Sequence, residues 1–156
     1  MLTAEGPKVL EYNCRFGDPE SQVLFPRMTY EVGTLLRACA TGRLEEVAGH
    51  AGFDDGAAVT VVLASEGYPG PYRIGRFING LEDAADVEGV TVFHAGTARK
   101  ADGEMVTAGG RVFDVTARGA TLAEARERAY RAVADVHFEG MQFRIDIAAR
   151  AAEEER

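Results

Sequence analysis

The nine-residue run Ala57–Ser65 (AAVTVVLAS) constrains the fold of this chain more than any other segment. Its residues are mostly β-branched or small and apolar, which is typical of a strand buried in a sheet. Val90–Thr97 and Arg111–Ala117 predict further strands, and a short strand is expected at Met105–Thr107. Because strands and helices follow each other without regular alternation, the sequence predicts an α+β domain with a largely antiparallel sheet and flanking helices.

A capping-box pattern predicts a long helix after the last of these strands. Thr121 and Glu124 have the spacing of that pattern, and apolar residues at helical spacing continue as far as Val136. Asp146 is expected to cap a final helix, and a short helix is expected at Leu44–Ala48. These helices would pack beside the predicted sheet.

An earlier helix is expected over Glu20–Ala40, where apolar residues recur at helical spacing. Asp18 would cap this helix and Pro19 would occupy its first position. Capping explains Asp18, and interaction with the helix dipole explains Glu20, more simply than direct catalysis. The amides at that helix start also offer a place for an anionic substrate group.

Composition indicates one ordinary domain and excludes several classes of function. The chain has 156 residues, of which 46% are hydrophobic, and a formal net charge of −8. That charge argues against a general nucleic-acid or acidic-membrane binder. Only two cysteines are present and they form no CxxC pair, which suits a reducing cytoplasm. The sequence contains no apolar run near the ~20 residues of a membrane span and no recognisable secretion signal.

Residues near the start have spacing that suits a metal site. If Lys8–Asn13 (KVLEYN) forms a strand, Glu11 and Asn13 project from the same face, and Arg15 continues the alternation. Carboxylate and amide oxygens are ligands that Mg²⁺ accepts, with phosphates and water completing the coordination. Spacing alone favours the simpler interpretation, in which these side chains form a solvated strand face.

The run Arg15–Val23 (RFGDPESQV) resembles the signature of the glycinamide ribonucleotide synthetase family. The Leu10–Asn13 segment (LEYN) looks like the Glu-x-Asn strand that precedes the signature in that family. Four later segments resemble further landmarks of the family in the same order: Gly67–Gly70 (GYPG), His94–Thr97 (HAGT), Thr107–Arg111 (TAGGR) and Arg144–Ile147 (RIDI). The resemblance covers almost the whole chain, but only the C-terminal part of the family's enzymes.

The resemblance implies an ATP-grasp ligase of purine biosynthesis. It implies that Glu11 and Asn13 hold Mg²⁺ or Mn²⁺ at the phosphates of ATP. Arg15 would project from the same strand face as these two residues, and we expect it to act as a catalytic cation beside them. The substrates implied are ATP, glycine and 5-phosphoribosylamine, with ATP bound mainly by sequence that the family places before this segment. Residues 1–40 would carry the last strand and helix of the ATP-grasp domain, and residues 41–156 the C-terminal domain.

Two functional interpretations follow from this resemblance. In the first, the chain is part of such a ligase and is inactive alone, because it contains no glycine-rich phosphate loop or nucleotide-binding lysines. In the second, the chain is a free-standing, non-catalytic binding or interaction module. Related carboxylases are disfavoured by the Gly17–Glu20 signature. An unpaired strand near the start would fray or self-associate.

Overall fold

A computed structural model of the chain describes residues 1–11 and 14–155. Its strands are β1 (Leu2–Thr3), β2 (Gly6–Pro7), β3 (Ala57–Ser65), β4 (Val90–His94), β5 (Thr97–Arg99), β6 (Met105–Thr107), β7 (Arg111–Gly119) and β8 (Met141–Gln142). Its α-helices are α1 (Glu20–Leu24), α2 (Val32–Ala40), α3 (Leu81–Asp86), α4 (Leu122–Asp135) and α5 (Ala149–Glu154). Short 3-10 helices lie at Phe25–Arg27, Leu44–Glu46 and Ala48–His50. None of the helices in these ranges is long and apolar enough to cross a bilayer.

The central sheet is antiparallel and has the strand order β4-β7-β3-β8. Val115 of β7 lies opposite Val61 of β3 on one side and Val92 of β4 on the other. Two small hairpins, β1-β2 and β5-β6, lie outside this sheet. The arrangement confirms the predicted α+β class and the predicted strands at Ala57–Ser65 and Met105–Thr107.

The two faces of the sheet have different partners. One face packs against α4, and buries Val61 and Val115 against helix residues such as Ala129. On the opposite face, α1 contacts β3 and β7. That second face carries polar side chains, including Thr116, which donates a hydrogen bond to Thr60 at 2.8 Å. The polar face therefore lies toward the N-terminal segments of the chain.

The predicted capping box of α4 is confirmed. The Thr121 hydroxyl accepts a hydrogen bond from the Glu124 amide at 3.2 Å. The Glu124 carboxylate in turn accepts from the amide of Ala120 at 2.6 Å, one residue before the capping residue. Both bonds satisfy amides that have no partner within the helix.

The continuous helix predicted over Glu20–Ala40 is wrong. The chain leaves the α-helix after Leu24, passes through a 3-10 turn and is extended at Met28 before α2 begins. Pro26 explains the interruption, because proline has no amide hydrogen to donate to the preceding turn. The predicted short helix at Leu44–Ala48 is likewise a pair of 3-10 turns rather than an α-helix.

Two capping predictions based on aspartates are also wrong. Asp18 makes no capping hydrogen bond to α1, whose capping residue is Pro19. Asp146 does not cap the last helix, which begins at Ala149, because Arg144 holds the Asp146 carboxylate in a two-bond ion pair at 2.6 and 2.9 Å. In both cases the carboxylate accepts hydrogen bonds from an arginine, and a different residue occupies the capping position.

Two predicted strands also end differently from expectation. The strand predicted at Val90–Thr97 stops at His94, because the backbone turns at Gly96 and then enters the β5-β6 hairpin. The strand predicted at Lys8–Asn13 is absent over Lys8–Glu11, where the chain pairs with no other strand. Lys8 only extends the β1-β2 hairpin, its amide donating to the Met1 carbonyl at 2.9 Å.

Candidate functional site

Arg111, the first residue of β7, joins the signature run to the sheet. Its guanidinium donates to the backbone carbonyl of Asp18 at 2.9 Å and to the Asp18 carboxylate at 2.7 Å. The two residues are 93 positions apart in the sequence. Because one donor reaches the backbone and the other the side chain, the contact fixes the loop that precedes α1 as well as the carboxylate.

Gln22, on α1, makes a second connection between the same segments. Its side-chain amide donates to Asp18 at 2.8 Å and to Asp114, in the middle of β7, at 3.0 Å. Both donors of one amide group are therefore used, one for each carboxylate. Asp18 is consequently held from two directions, by Arg111 and by Gln22.

Asp114 is a buried carboxyl group with only part of its hydrogen-bonding capacity used. Only 1% of the residue is exposed, and its Oδ1 atom has no hydrogen-bond partner among the described residues. Burial raises the pKa of Asp114 and the nearby charge of Asp18 raises it further, although the Gln22 hydrogen bond and the Arg111 charge oppose them in part. The surroundings therefore shift the protonation equilibrium of Asp114 toward the acid, relative to a solvent-exposed aspartate.

Two glycine-containing segments meet beside Arg111. The Gly96 amide donates to the Arg111 carbonyl at 2.8 Å, and the Ala108 amide donates to the Gly96 carbonyl at 2.7 Å. A Cβ atom on Gly96 would lie 2.5 Å from the Arg111 carbonyl oxygen and 2.6 Å from Gly109 Cα. No side chain fits at such a distance, so glycine is required for this close approach.

A tyrosine-containing loop completes the cluster on the other side of Gly110. The rings of Tyr68 and Tyr72 lie 6.2 Å apart, and a Cβ atom on Gly110 would meet both. The Gly110 carbonyl accepts a hydrogen bond from the Ser65 amide at 2.8 Å, which ties the end of β3 to the start of β7. Four segments distant in sequence therefore meet around Arg111.

A cleft of about 270 Å³ opens next to this loop. Its lining includes Tyr72, Arg73 and Arg76 as well as two carboxylates, Glu66 and Glu139. Arg76 donates to Glu139 at 2.7 Å across the cleft wall. The cleft thus combines cationic, anionic and aromatic groups, which suits a polar small molecule better than an apolar one.

Comparison with known proteins decides the family. Residues 58–150 match the family described as phosphoribosylglycinamide synthetase, C domain. The chain belongs to this family. The family resemblance is therefore confirmed, since its four later landmarks lie within residues 58–150, and the antiparallel α+β fold is the one that this C domain adopts.

Relatives in the family are named as ligases. The chain is 52% identical over 152 residues to the phosphoribosylamine–glycine ligase of Leifsonia xyli subsp. xyli, covering 97% of this chain and 36% of that protein. The corresponding ligase of Streptomyces coelicolor is 50% identical over 153 residues, with 97% of this chain and 36% of the relative covered. The crystal structure of phosphoribosylamine–glycine ligase from Thermotoga maritima matches with a TM-score of 0.64 and 37% identity, covering 94% of this chain and 34% of that one. The chain spans about a third of the length of these relatives.

Within this synthetase C-domain chain, the predicted site residues lie in an exposed segment. Glu11 is exposed, and Arg15 is also exposed and donates to the neighbouring Phe16 carbonyl at 2.9 Å. Asn13 lies outside the described residues. No group of three or more His, Cys, Asp or Glu side chains in residues 1–11 and 14–155 is arranged to hold a metal ion. The structure therefore leaves the predicted metal site untested.

Sequence reasoning did not select the residues that hold the cluster together. Arg111 appeared only as part of a family landmark, and Gln22 only as part of the signature. Asp114 offers a signal that the sequence does contain, since it is a single charge inside the apolar run Val112–Ala117. A charged residue at the centre of a buried strand is unusual enough to indicate a specific partner.

Proposed function

We propose that this chain forms the C-terminal part of an ATP-dependent ligase that joins glycine to 5-phosphoribosylamine, giving glycinamide ribonucleotide. The observation that carries the proposal is the 52% identity over 97% of the chain to a phosphoribosylamine–glycine ligase. The meeting of Gly67–Gly70, His94–Thr97 and Thr107–Arg111 with the signature run at Asp18 supports it, because these three landmarks and the signature contribute to one place.

The proposal includes a division of the chain into two parts. Residues 1–40 would belong to the ATP-grasp domain and residues 41–156 to the C-terminal domain. The end of α2 at Ala40 and the start of the family match at residue 58 support this boundary. The contacts of Arg111 and Asp114 with Asp18 and Gln22 would then join the two parts across the boundary.

In the proposed reaction, the carboxylate of glycine attacks the γ-phosphorus of ATP, which releases ADP and forms glycyl phosphate. The amine of phosphoribosylamine then attacks the glycyl carbonyl carbon and expels phosphate. Glu11 and Asn13 would hold Mg²⁺ or Mn²⁺, which neutralises charge on the phosphates during transfer. The exposed carboxylate of Glu11 suits this role, since it offers hard oxygen ligands at the protein surface.

Arg15 is the proposed catalytic cation. Its side chain is exposed and hydrogen-bonds only to the adjacent Phe16 carbonyl among the contacts of the described residues. A guanidinium in that state retains donors for the oxygens of an acyl phosphate or a carboxylate. Because Arg15 lies three residues before Asp18, its position depends on how the signature run is held.

The proposal is tested by joining this chain to the N-terminal part of the Leifsonia xyli ligase. We expect the joined protein to form glycinamide ribonucleotide from ATP, glycine and phosphoribosylamine, and the 156-residue chain alone to form none. A folded joined protein without activity would instead support a non-catalytic binding module. Product formed by the chain alone would contradict its proposed dependence on an N-terminal nucleotide-binding part.

Within the joined protein, Glu11→Gln tests the metal assignment. The substitution removes the charge but preserves size, and we expect kcat to fall by about 10²–10³-fold, as for loss of a group that stabilises transition-state charge. Glu5→Gln is the matched control, since Glu5 lies in the same N-terminal segment and its carboxylate pairs with Lys8 at 3.3 Å. Equal kcat values for the two variants would show that Glu11 is not a ligand.

The proposed setting is the cytoplasm, with small molecules as partners. Cys14 and Cys39 are both exposed and unpaired with each other, as is common in a reducing compartment. The net charge of −8 disfavours nucleic acid and acidic membrane surfaces as partners. The mixed charges of the cleft beside Tyr72 agree with a polar metabolite.

A further inference from the structure

Strand β7 holds the signature run through two sets of hydrogen bonds, which Gln22 also links to each other by donating to both Asp18 and Asp114. Arg111 donates hydrogen bonds to the backbone carbonyl and the carboxylate of Asp18, whereas Asp114 accepts a hydrogen bond from Gln22. The first contact lies before α1 and the second within it. Two anchors on one rigid strand, placed four residues apart on the run, fix both the position and the orientation of the segment.

Asp114 is a poor choice for stability alone. A buried carboxyl group loses its hydration, and only one of its two oxygens has a protein partner among the described residues. Thr116, two residues later on the same face, is equally buried but hydrogen-bonds to Thr60. An apolar residue of the same size would suit position 114 better if packing were its only role.

We propose that Asp114 and Arg111 are positioning residues that fix the signature run, and with it Arg15, relative to the sheet. Asp114 acts through Gln22, and Arg111 acts through Asp18. The structural part of this inference stands on the observed contacts, whereas its catalytic consequence rests on the proposed ligase function. The two parts are tested by separate measurements.

The structural part is tested on the chain itself by NMR. Asp114→Leu removes the acceptor for Gln22 and keeps the number of side-chain heavy atoms, whereas Asp114→Asn retains an acceptor oxygen. With leucine we expect the Gln22 side-chain amide proton that faces Asp114 to move toward the resonance of an unbonded amide proton, whereas the proton donated to Asp18 keeps its hydrogen bond. The backbone amides of Ser21 and Gln22 should exchange about tenfold faster, the change that corresponds to one lost hydrogen bond.

Thr116→Val is the matched control, because it removes a hydrogen bond of the same strand face that runs to Thr60 on β3 rather than to a side chain of α1. We expect this variant and Asp114→Asn to leave the Gln22 resonances and exchange rates unchanged. Unfolding by urea should show Asp114→Leu to be at least as stable as the native chain. An unchanged Gln22 signal in Asp114→Leu would overturn the inference, as would the same change in Thr116→Val.

The catalytic part is tested in the joined ligase by steady-state kinetics. Asp114→Leu and Arg111→Lys should each lower kcat by about 10- to 100-fold with little change in the KM for ATP, because misplacement affects the reacting geometry. Arg118→Lys, on the same strand but paired with Asp54, should keep the native kcat. Native kcat in the first two variants would overturn the catalytic consequence.

An inactive unsubstituted ligase would refute the proposed function, and the NMR result would still decide the structural part.

Discussion

Asp114 lies in surroundings that differ strongly from those that an aspartate side chain prefers. It lies in the central strand β7 between Val62 and Phe93 on the neighbouring strands, and only 1% of it is exposed. Burial and the charge of Asp18 both raise its pKa, so the folded chain binds a proton there more tightly than the unfolded chain does. The contribution of Asp114 to the free energy of unfolding therefore falls as pH rises, whereas that of a salt-bridged aspartate grows.

This linkage predicts a pH-dependent effect of Asp114→Asn. The stabilising contribution of the native proton is complete below about pH 3.9, the pKa of an unfolded aspartate, and is lost as pH rises through the higher folded pKa. The amide has no such proton to lose. The free energy of unfolding of Asp114→Asn minus that of the native chain should therefore increase with pH, as measured by urea unfolding between about pH 3.5 and 8.

Thr116→Val provides the comparison, because Thr116 is buried on the same strand face but does not titrate. Its effect on the free energy of unfolding should be constant over the same pH range. If the Asp114→Asn difference were equally constant, Asp114 would have an ordinary pKa in the folded chain. If the difference fell with pH, the carboxylate would be the favoured form.

At the scale of elements, α4 contributes most of the packing against the sheet. It contacts β3, β7 and β4, and buries alanines together with Val133 on the side that faces them. Small side chains allow the helix axis to approach the strands closely. Its N-terminus lies directly after β7, so the capping residue Thr121 fixes where the chain changes from strand to helix.

Thr121→Ala should lower the free energy of unfolding by about 1 kcal/mol, the usual effect of removing an N-cap side chain. The hydroxyl accepts from the Glu124 amide, and alanine leaves that amide without this partner. Thr121→Ser is the control and should retain most of the stability, because serine keeps the hydroxyl. Urea unfolding of the three proteins measures the difference. Equal losses in the alanine and serine variants would show that the methyl group, not the cap, matters.

At the scale of the whole molecule, the chain consists of a well-packed sheet layer and a less packed N-terminal segment. The core side chains belong to β3, β7 and α4 and to the elements around them. Val9 and Leu10, by contrast, are 69% and 74% exposed. Local stability follows the density of buried contacts, so these regions should open with very different free energies.

Hydrogen exchange should resolve this difference. In dilute protein, the amides of Val9–Glu11 should exchange within the earliest time points, whereas those of Thr60–Leu63 should be protected by the ladder of β3 with β7. Exposed apolar side chains near an unpaired segment also favour self-association, so protection of Val9–Glu11 should rise with protein concentration. Equal protection of both segments in dilute protein would show that the N-terminal segment has a partner within the chain.

The sequence by itself determined the strands β3 and β7, the capping box of α4, the α+β class and the family. The strands, the cap and the fold class depend on residues within a few positions of each other, such as β-branched runs, and the family depends on a nine-residue signature. Local sequence was therefore sufficient to predict them. Tertiary structure alone decided that Arg111 would hold Asp18, that Gln22 would reach Asp114, and that Asp18 would therefore not cap α1. Those contacts join residues that are 92 and 93 positions apart in the sequence. They form because β7 pairs with β3 and α1 packs on the same sheet, which brings the side chains together.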